Sequence, residues 1–471
     1  MIDSLIMEEL ITQIDRNFES VNIEKWVTQS FIENPIKTFI IAFYTRDCRE
    51  GKGERKAGLK ILKILYKLDS INFFKIAELI PIFGRWDDII KVMKNGPELM
   101  RHITAQLFQD INDMDSGKKI SLLGKWLPSE NSKLDRKYNF ITNFCGYTFL
   151  SKREYRRTVS SLRNYLQITE RLMCEKKWGE IEYSKVPAKC MLKLAKAFQN
   201  RDPKRFKEFK RKLISGKTKV CGKTLFPHEL VMEFCKYSDH AEENIILEKQ
   251  WETILQETSS NGFLENSICI CDVSGSMGDL SSDKFSPIHS SIGLSILISQ
   301  CVKGDFKEKI ITFSGEPEFV DLSRWNTVGE KIYNLSRVNW QQNTNLQKVF
   351  ELILNTARNN EISDEFLPRK LFIFSDMNFD CAISKNSSLT EIKRKYQEFG
   401  YTIPTIIFWN LSGNIRHVPC EPDENGVVMI SGFSPIILKI LMKNGVFSTK
   451  LFIDSIIDSP RYLPVIDALS N

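Results

Sequence analysis

An all-helical half, residues 1–258, followed by a doubly wound α/β domain, residues 259–471, is the fold class this chain predicts. Two changes along the chain carry that expectation. The first half runs through amphipathic stretches of helix length with short breaks and few strand signals. The second alternates short apolar runs with helical ones, the pattern of parallel strands covered by helices on both faces. The division falls where His240 to Gln256 reads as an acidic connecting helix and Ser259-Ser260-Asn261-Gly262 as a turn.

With 471 residues, 42% hydrophobic and 27% charged, the chain is long enough for two cores of ordinary soluble composition. Met1 to Leu10 carries acids and no basic leader, and no stretch approaches the roughly 18 apolar residues of a membrane span, so a soluble, cytoplasmic protein without membrane contact is expected. The eleven cysteines are scattered, odd in number and lack a repeated C-x-x-C, which fits a reducing compartment. Cys269 and Cys271 fall on one face of one strand and are expected in the core. Without a second pair they make a poor zinc site.

In the helical half, Asn34 to Tyr44, Ala57 to Leu68, Ile71 to Ile82 and Trp86 to Met93 read as successive helices, with Gly51, Gly53, Gly84 and Gly96 in the breaks. Short loops and no heptad predict stacked antiparallel helix pairs of the solenoid kind, with a plain irregular helical domain as the alternative. The stretch Arg46-Asp47-Cys48-Arg49-Glu50-Gly51-Lys52-Gly53-Glu54-Arg55-Lys56 lacks the G-K-[ST] ending of a P-loop and follows a helix, so it does not predict nucleotide binding. Its alternating charges predict a salt-bridged turn, with Arg55 and Lys56 left for phosphates. Phe83-Gly84-Arg85-Trp86-Asp87-Asp88 reads as a tight turn into a helix whose first-turn acids suit the helix dipole. No histidine is near them, so capping outweighs acid–base catalysis.

Charge is divided unevenly. Residues 1–250 hold 46 Lys and Arg against 33 Asp and Glu, a net +13, whereas the remainder holds 20 against 26, a net −6. Residues 151–223 alone hold 22 against 7, a net +15, a field that attracts polyanions unless it is only a run of solvated helix faces. Lys152, Arg153, Arg156 and Arg157 recur at helical spacing, interleaved with Tyr155, Tyr165 and Trp178. The stretch Asn200 to Lys212 brings Arg201 before Pro203 and, on a second helix after that proline, Lys204, Arg205, Lys207, Lys210, Arg211 and Lys212 around Phe206 and Phe209. The two phenylalanines, three apart, are expected in the core, which turns the cations to solvent as a surface for a phosphate backbone.

In the α/β half, Ile268 to Cys271 is apolar without alternation, as in a central parallel strand, and Asp272 ends it. That edge of an open sheet is where ligands bind, and the loop Val273-Ser274-Gly275-Ser276 adds two hydroxyls. These are hard ligands suited to Mg²⁺, which keeps several waters and needs few protein oxygens. Downstream, Ile288 to Val302, Thr327 to Leu335, Leu346 to Ala357, Ser387 to Phe399 and Pro435 to Met442 read as helices. Lys309 to Phe313, Lys370 to Ser375, Thr402 to Trp409 and Val427 to Ile430 read as strands. His102, His228, His240, His289 and His417 are isolated in sequence, and no His–acid pair activates Ser274 or Ser276 as a nucleophile.

The D-x-S-x-S pattern of Asp272, Ser274 and Ser276 resembles the metal-ion-dependent adhesion site of von Willebrand factor A domains. The resemblance implies two further ligands, Thr344 and Asp376, although Gln342 and Asn343 stand where a glycine usually precedes the threonine. Taken alone, Thr344 reads as a helix cap and Asp376 as a capping acid. Ser314 is expected only to support the site. The implied ion is Mg²⁺ or another divalent cation, with one position left for a partner's carboxylate.

Arg46-Asp47 with Gly51-Lys52-Gly53-Glu54-Arg55, then Gly84-Arg85-Trp86-Asp87-Asp88, Lys125-Trp126-Leu127-Pro128 and Val186-Pro187-Ala188-Lys189-Cys190 precede that loop in order. Together they resemble a family of giant DNA viruses, phages and plants whose layout is similar to Ro ribonucleoproteins. The resemblance spans roughly residues 30–445. It implies a TROVE-like ring of HEAT-like helical repeats followed by a Rossmann-like von Willebrand A domain. The implied function is non-catalytic binding of non-coding RNA, with single-stranded ends entering the ring and structured RNA on its basic outer face. For a viral chain the compartment is the host cytoplasm. Two other readings stay open. One is a metal-dependent interaction module that captures an acidic protein partner on a helical scaffold. The other is a Mg²⁺-dependent nuclease, although Asp272 and Asp376 with neutral hydroxyls suit one ion better than two.

Overall fold

A computed structural model describes residues 21–94, 96–236, 244–260, 262, 264–338, 345–377, 387–411, 426–444 and 449–470. In the α/β half Leu264–Glu265 and Val302–Lys303 pair separately, while the main sheet has six described strands, β1 Ser267–Asp272, β2 Lys309–Phe313, β3 Phe319–Asp321, β4 Lys370–Ser375, β5 Thr405–Asn410 and β6 Val427–Ser431. Their order is β3-β2-β1-β4-β5-β6. All neighbours are parallel except β3, which runs antiparallel to β2. Every residue of β1 is buried, and Cys269 lies opposite Ile310 on one side and Phe372 on the other.

Strand alternation splits this apolar run between two cores. Ile268 and Ile270 pack with Val349, Ile353 and Tyr396 on one face. Cys269 and Cys271, both free thiols, pack with Ile292 and Ile296 on the other. The doubly wound expectation therefore holds for the sheet. β3 was not expected, because three residues on an edge carry too little pattern to read.

In the helical half, Pro35–Arg46, Arg55–Leu68 and Trp86–Met93 form close to where the periodicity predicts them. Asn34 is the cap of the first, its side chain accepting the Lys37 N–H at 2.9 Å, and Pro35 takes the first helical position. The helix expected over Ile71 to Ile82 is broken into Ser70–Ile76, a 3₁₀ turn Ala77–Leu79, and Ile80–Phe83. Pro81 has no N–H and its ring crowds the carbonyl of Ala77, four residues back, which accounts for the break.

The charged stretch after residue 45 is a structural hub. Arg46 is 2% exposed and Asp88 fully buried. Asp88 Oδ2 accepts from Arg46 Nε and Nη2 at 2.8 and 2.5 Å, and from the Arg85 backbone N–H at 3.1 Å. Arg55 donates to Asp88 Oδ1 at 2.9 Å and to Asp87 Oδ2 at 2.6 Å, and Lys91 also pairs with Asp87. The salt-bridged turn is as expected, but Arg55 is not left for phosphates, because two carboxylates already hold its guanidinium. Gly51 lies so close beneath the turn that a methyl group there would sit 2.2 Å from the Tyr44 carbonyl oxygen.

The same turn reaches the α/β half. Asp47 Oδ2 accepts from Arg461 Nε at 2.9 Å, and the buried Lys52 ammonium donates to Ser431 Oγ at the end of β6 at 3.0 Å. The C-terminal helices Thr449–Ile457 and Leu463–Ser470 pack back on Pro35–Arg46. Helix Pro287–Cys301 is buried on almost all sides, because β1 covers one flank and helix Pro227–Phe234 the other. Gly293 permits that approach, since a methyl group there would meet Pro227 at 3.0 Å.

One apolar cluster therefore runs from Phe43 through Val231 and Ile292 to Phe372. The connecting helix is Ile245–Ser259, with residues 240–243 outside the described ones. It is docked on the sheet half, with Trp251 Nε1 donating to Gln300 at 2.9 Å and Glu248 accepting the first N–H groups of helix Val328–Leu335. Among the described residues no helix is long and apolar enough to cross a membrane.

Candidate functional site

β1 and β4 are neighbours at the point where strand order reverses, so their C-terminal ends open a crevice. Asp272 ends β1 and Asp376 directly follows β4, and both are buried. Asp272 Oδ1 accepts the Ser274 N–H at 2.9 Å, and Asp272 Oδ2 accepts from Ser375 Oγ at 2.6 Å. Ser274 Oγ and Ser276 Oγ lie 3.1 Å apart, and Ser276 is exposed. Burial pushes the Asp272 carboxyl up to about 6; the charge of Asp376 adds to the rise, while the hydrogen bonds from Ser375 and Ser274 oppose it.

Asp272, Ser274, Ser276 and Asp376 carry oxygen donors of the kind a small hard cation takes. A desolvated carboxylate beside a second one gains from a divalent charge, and hydroxyls 3.1 Å apart match neighbouring vertices of an octahedron with roughly 2.1 Å bonds. Among the described residues no group of three or more His, Cys, Asp or Glu could hold a metal, so any ion here would rely on hydroxyls and water besides Asp272 and Asp376. Thr344 lies outside the described residues. Ser314 is committed to its own turn, donating to the Glu316 carbonyl at 2.7 Å.

Two supports were not read from the sequence. Ser375 donates to Asp272 and accepts the Met377 N–H at 3.2 Å, and Met377 is buried with φ 64°. This bend directs the chain just after Asp376. A hydroxyl directly before an acid at a strand end was the available signal. His289 is the second. Its Nδ1 accepts the Ser286 N–H at 3.1 Å and its Nε2 lies 3.1 Å from the Leu280 carbonyl, so the neutral ring with Nε2–H ties both ends of the segment after the serine loop.

Burial lowers the His289 pKa, although Asp279 and the two backbone bonds oppose this. With the folded value below the unfolded ~6.5, its contribution to stability is complete above that pH and is lost as pH falls through the folded value. Proteolysis within 279–286 is expected to rise more steeply on acidification in the wild type than in His289→Gln. Superimposable pH profiles would refute this.

The basic segments are two helices, Lys152–Tyr165 and Pro203–Ile214, with Arg201 ending a third, Ala188–Arg201. Phe206 and Phe209 are buried, as expected, in a separate cluster with Tyr183 and Phe198. Lys152, Arg153, Arg157, Arg201, Lys204, Lys207 and Arg211 are exposed, and Lys210 is half-buried over the Phe206 ring. Arg156 pairs with Glu130 and Lys212 with Glu208 at the surface. Arg205 has a structural load, donating to the Trp178 and Ile181 carbonyls and to Asp202 at 2.7–2.9 Å. Tyr155 is buried and donates to the Pro128 carbonyl, while Trp178 packs edge-on to Phe198.

Residues 266–457 match the family described as Domain of unknown function (DUF7788), and residues 98–264 match Domain of unknown function (DUF2828). The chain is similar to Uncharacterized protein L728 of Acanthamoeba polyphaga mimivirus, a giant-virus protein. The two are 31% identical over 443 residues, covering 85% of this chain and 76% of the relative. With that identity over most of both proteins, the chain belongs to the family of the mimivirus protein L728.

Proposed function

We propose that this chain is a non-catalytic, non-coding-RNA-binding protein of Ro-like plan, with a TROVE-like, HEAT-like helical half and a von Willebrand A-like half that holds Mg²⁺. The observation that carries the RNA reading is the exposure of the cations on helices Lys152–Tyr165 and Pro203–Ile214 while the intervening aromatics Tyr155, Phe206 and Phe209 are buried. Such a surface is built for phosphates. The von Willebrand A-like reading is supported by the sheet order, the antiparallel edge strand β3 and the acids at the ends of β1 and β4. Crosslinking the purified protein and sequencing the recovered RNA tests the first part. Recovery of no RNA above background from the wild type overturns it.

Asp272, Ser274, Ser276 and Asp376 would hold the cation, with Thr344 the further ligand implied by the family resemblance. The ion supplies a positive centre that recognises a carboxylate, and the exposure of Ser276 supports a second reading in which an acidic protein docks there. If Mg²⁺ is held, hundredfold excess over its dissociation constant stabilises the fold by about 2.7 kcal/mol. Asp272→Ala is expected to abolish the Mg²⁺-dependent rise in melting temperature while leaving RNA affinity within about twofold. A metal response retained by the variant would remove the site. Metal-stimulated RNA cleavage lost in Asp272→Ala would instead establish the nuclease reading.

A further inference from the structure

Phe149 has the highest exposure of any large apolar side chain among the described residues, at 94%. Its backbone is left-handed, with φ 59° and ψ 14°, a conformation unfavourable for a bulky residue and natural for Gly or Asn. Exposed apolar area and backbone strain at one residue bring no folding advantage. Both point to a role outside the fold.

The surroundings say what that role requires. Phe149 ends helix Phe140–Thr148, and three residues later helix Lys152–Tyr165 begins. Leu150 packs against the core, and Ser151 caps the second helix, its Oγ accepting the Glu154 N–H at 3.2 Å while Glu154 accepts the Ser151 N–H at 2.7 Å. Before the ring, Thr148 Oγ1 donates to the Phe144 carbonyl at 2.8 Å, so the turn that presents it is tied down at both flanks. Tyr147, two residues earlier, is 42% exposed. Lys152, Arg153 and Arg157 lie exposed in the first two turns of the following helix, and their side chains make no ion pair or hydrogen bond among the described residues, although the Glu154 carboxylate feels the charge of Arg157.

We propose that Phe149, flanked by Tyr147, is a stacking platform for an unpaired base of a single-stranded nucleic acid whose phosphates lie along Lys152, Arg153 and Arg157. The proposal rests on the RNA-binding reading and deepens it by naming single-stranded segments as the ligand at this turn. A ring projecting from a rigid turn meets a base face only when the base is free of a duplex. Adjacent unpaired cations select a polyanion over an apolar protein surface.

The test uses the full-length protein with oligouridylate and a blunt RNA duplex of equal charge. Phe149→Ala is expected to lower oligouridylate affinity about tenfold, leave the duplex unaffected and keep the slope of log affinity against log salt. Phe149→Trp is expected to restore affinity and to show quenching of the new indole as oligouridylate binds. Both variants keep a Cβ on the same left-handed backbone, and the side chain is 94% exposed, so the melting temperature should stay close to that of the wild type. Wild-type affinity for oligouridylate in Phe149→Ala overturns the platform alone, as does an equal loss for duplex and single strand. A wild type that binds neither RNA overturns the RNA reading together with it. Retained RNA affinity with loss of a bound protein would assign the ring to a protein contact and overturn the proposal.

Discussion

Asp88→Ala is expected to destabilise the fold by roughly 3–5 kcal/mol, the cost of leaving a buried charge without its partner. Both Asp88 oxygens are engaged: Oδ2 by Arg46 and the Arg85 N–H, Oδ1 by Arg55. Arg55 retains Asp87 in the variant, but Arg46, 2% exposed, has no other ion pair among the described residues. Water cannot reach its guanidinium without opening the packing between helices Pro35–Arg46 and Trp86–Met93. Denaturant unfolding with an unchanged slope measures the loss, and Asp88→Asn, which keeps one acceptor oxygen but not the charge, should fall between the wild type and Asp88→Ala. A loss under about 1 kcal/mol, the range of an exposed pair, would mean that the hub is dispensable. The double variant Arg46→Met with Asp88→Leu should recover much of the loss, since burying an ion pair is itself costly.

Reversing Lys152, Arg153, Lys207 and Arg211 to Glu is expected to cut RNA affinity at least a hundredfold near physiological salt. If all four meet phosphates of a single strand, the slope of log affinity against log salt should shrink by about 3. All four are exposed, and among the described residues their side chains make no ion pair or hydrogen bond. Arg205 is left out, as its bonds to the Trp178 and Ile181 carbonyls make it part of the fold. Filter binding over a salt series, with melting temperature as the folding control, reads the result. Undiminished RNA retention by the folded variant would remove the basic helices from the function.

Much of the sheet half was legible residue by residue. Strands Lys309–Phe313 and Lys370–Ser375 lie where the apolar runs predicted them, and Asp272 ends β1. A central parallel strand is desolvated on both faces, so its pattern is strong and local. The basic helices were legible for the same reason, since Phe206 and Phe209 turn inward and the cations between them turn out. The broken helix at Pro81 and the edge strand β3 were less so, because short pieces carry little pattern.

What the sequence by itself determined is the strand–loop carrying Asp272, Ser274 and Ser276, the order of helical and α/β halves, and the concentration of positive charge. Each follows from residue type and spacing along the chain. Only the tertiary structure decided which charges are used up and which stay outside. Arg55 was expected to meet phosphates and meets Asp87 and Asp88 instead; Asp47 finds Arg461, and Lys52 finds Ser431, hundreds of residues away. It also decided that Phe149, next to the core residue Leu150, faces solvent on a strained turn. A charge or a ring has the same sequence signature whether or not a distant segment covers it, because desolvation and pairing are properties of the packed chain.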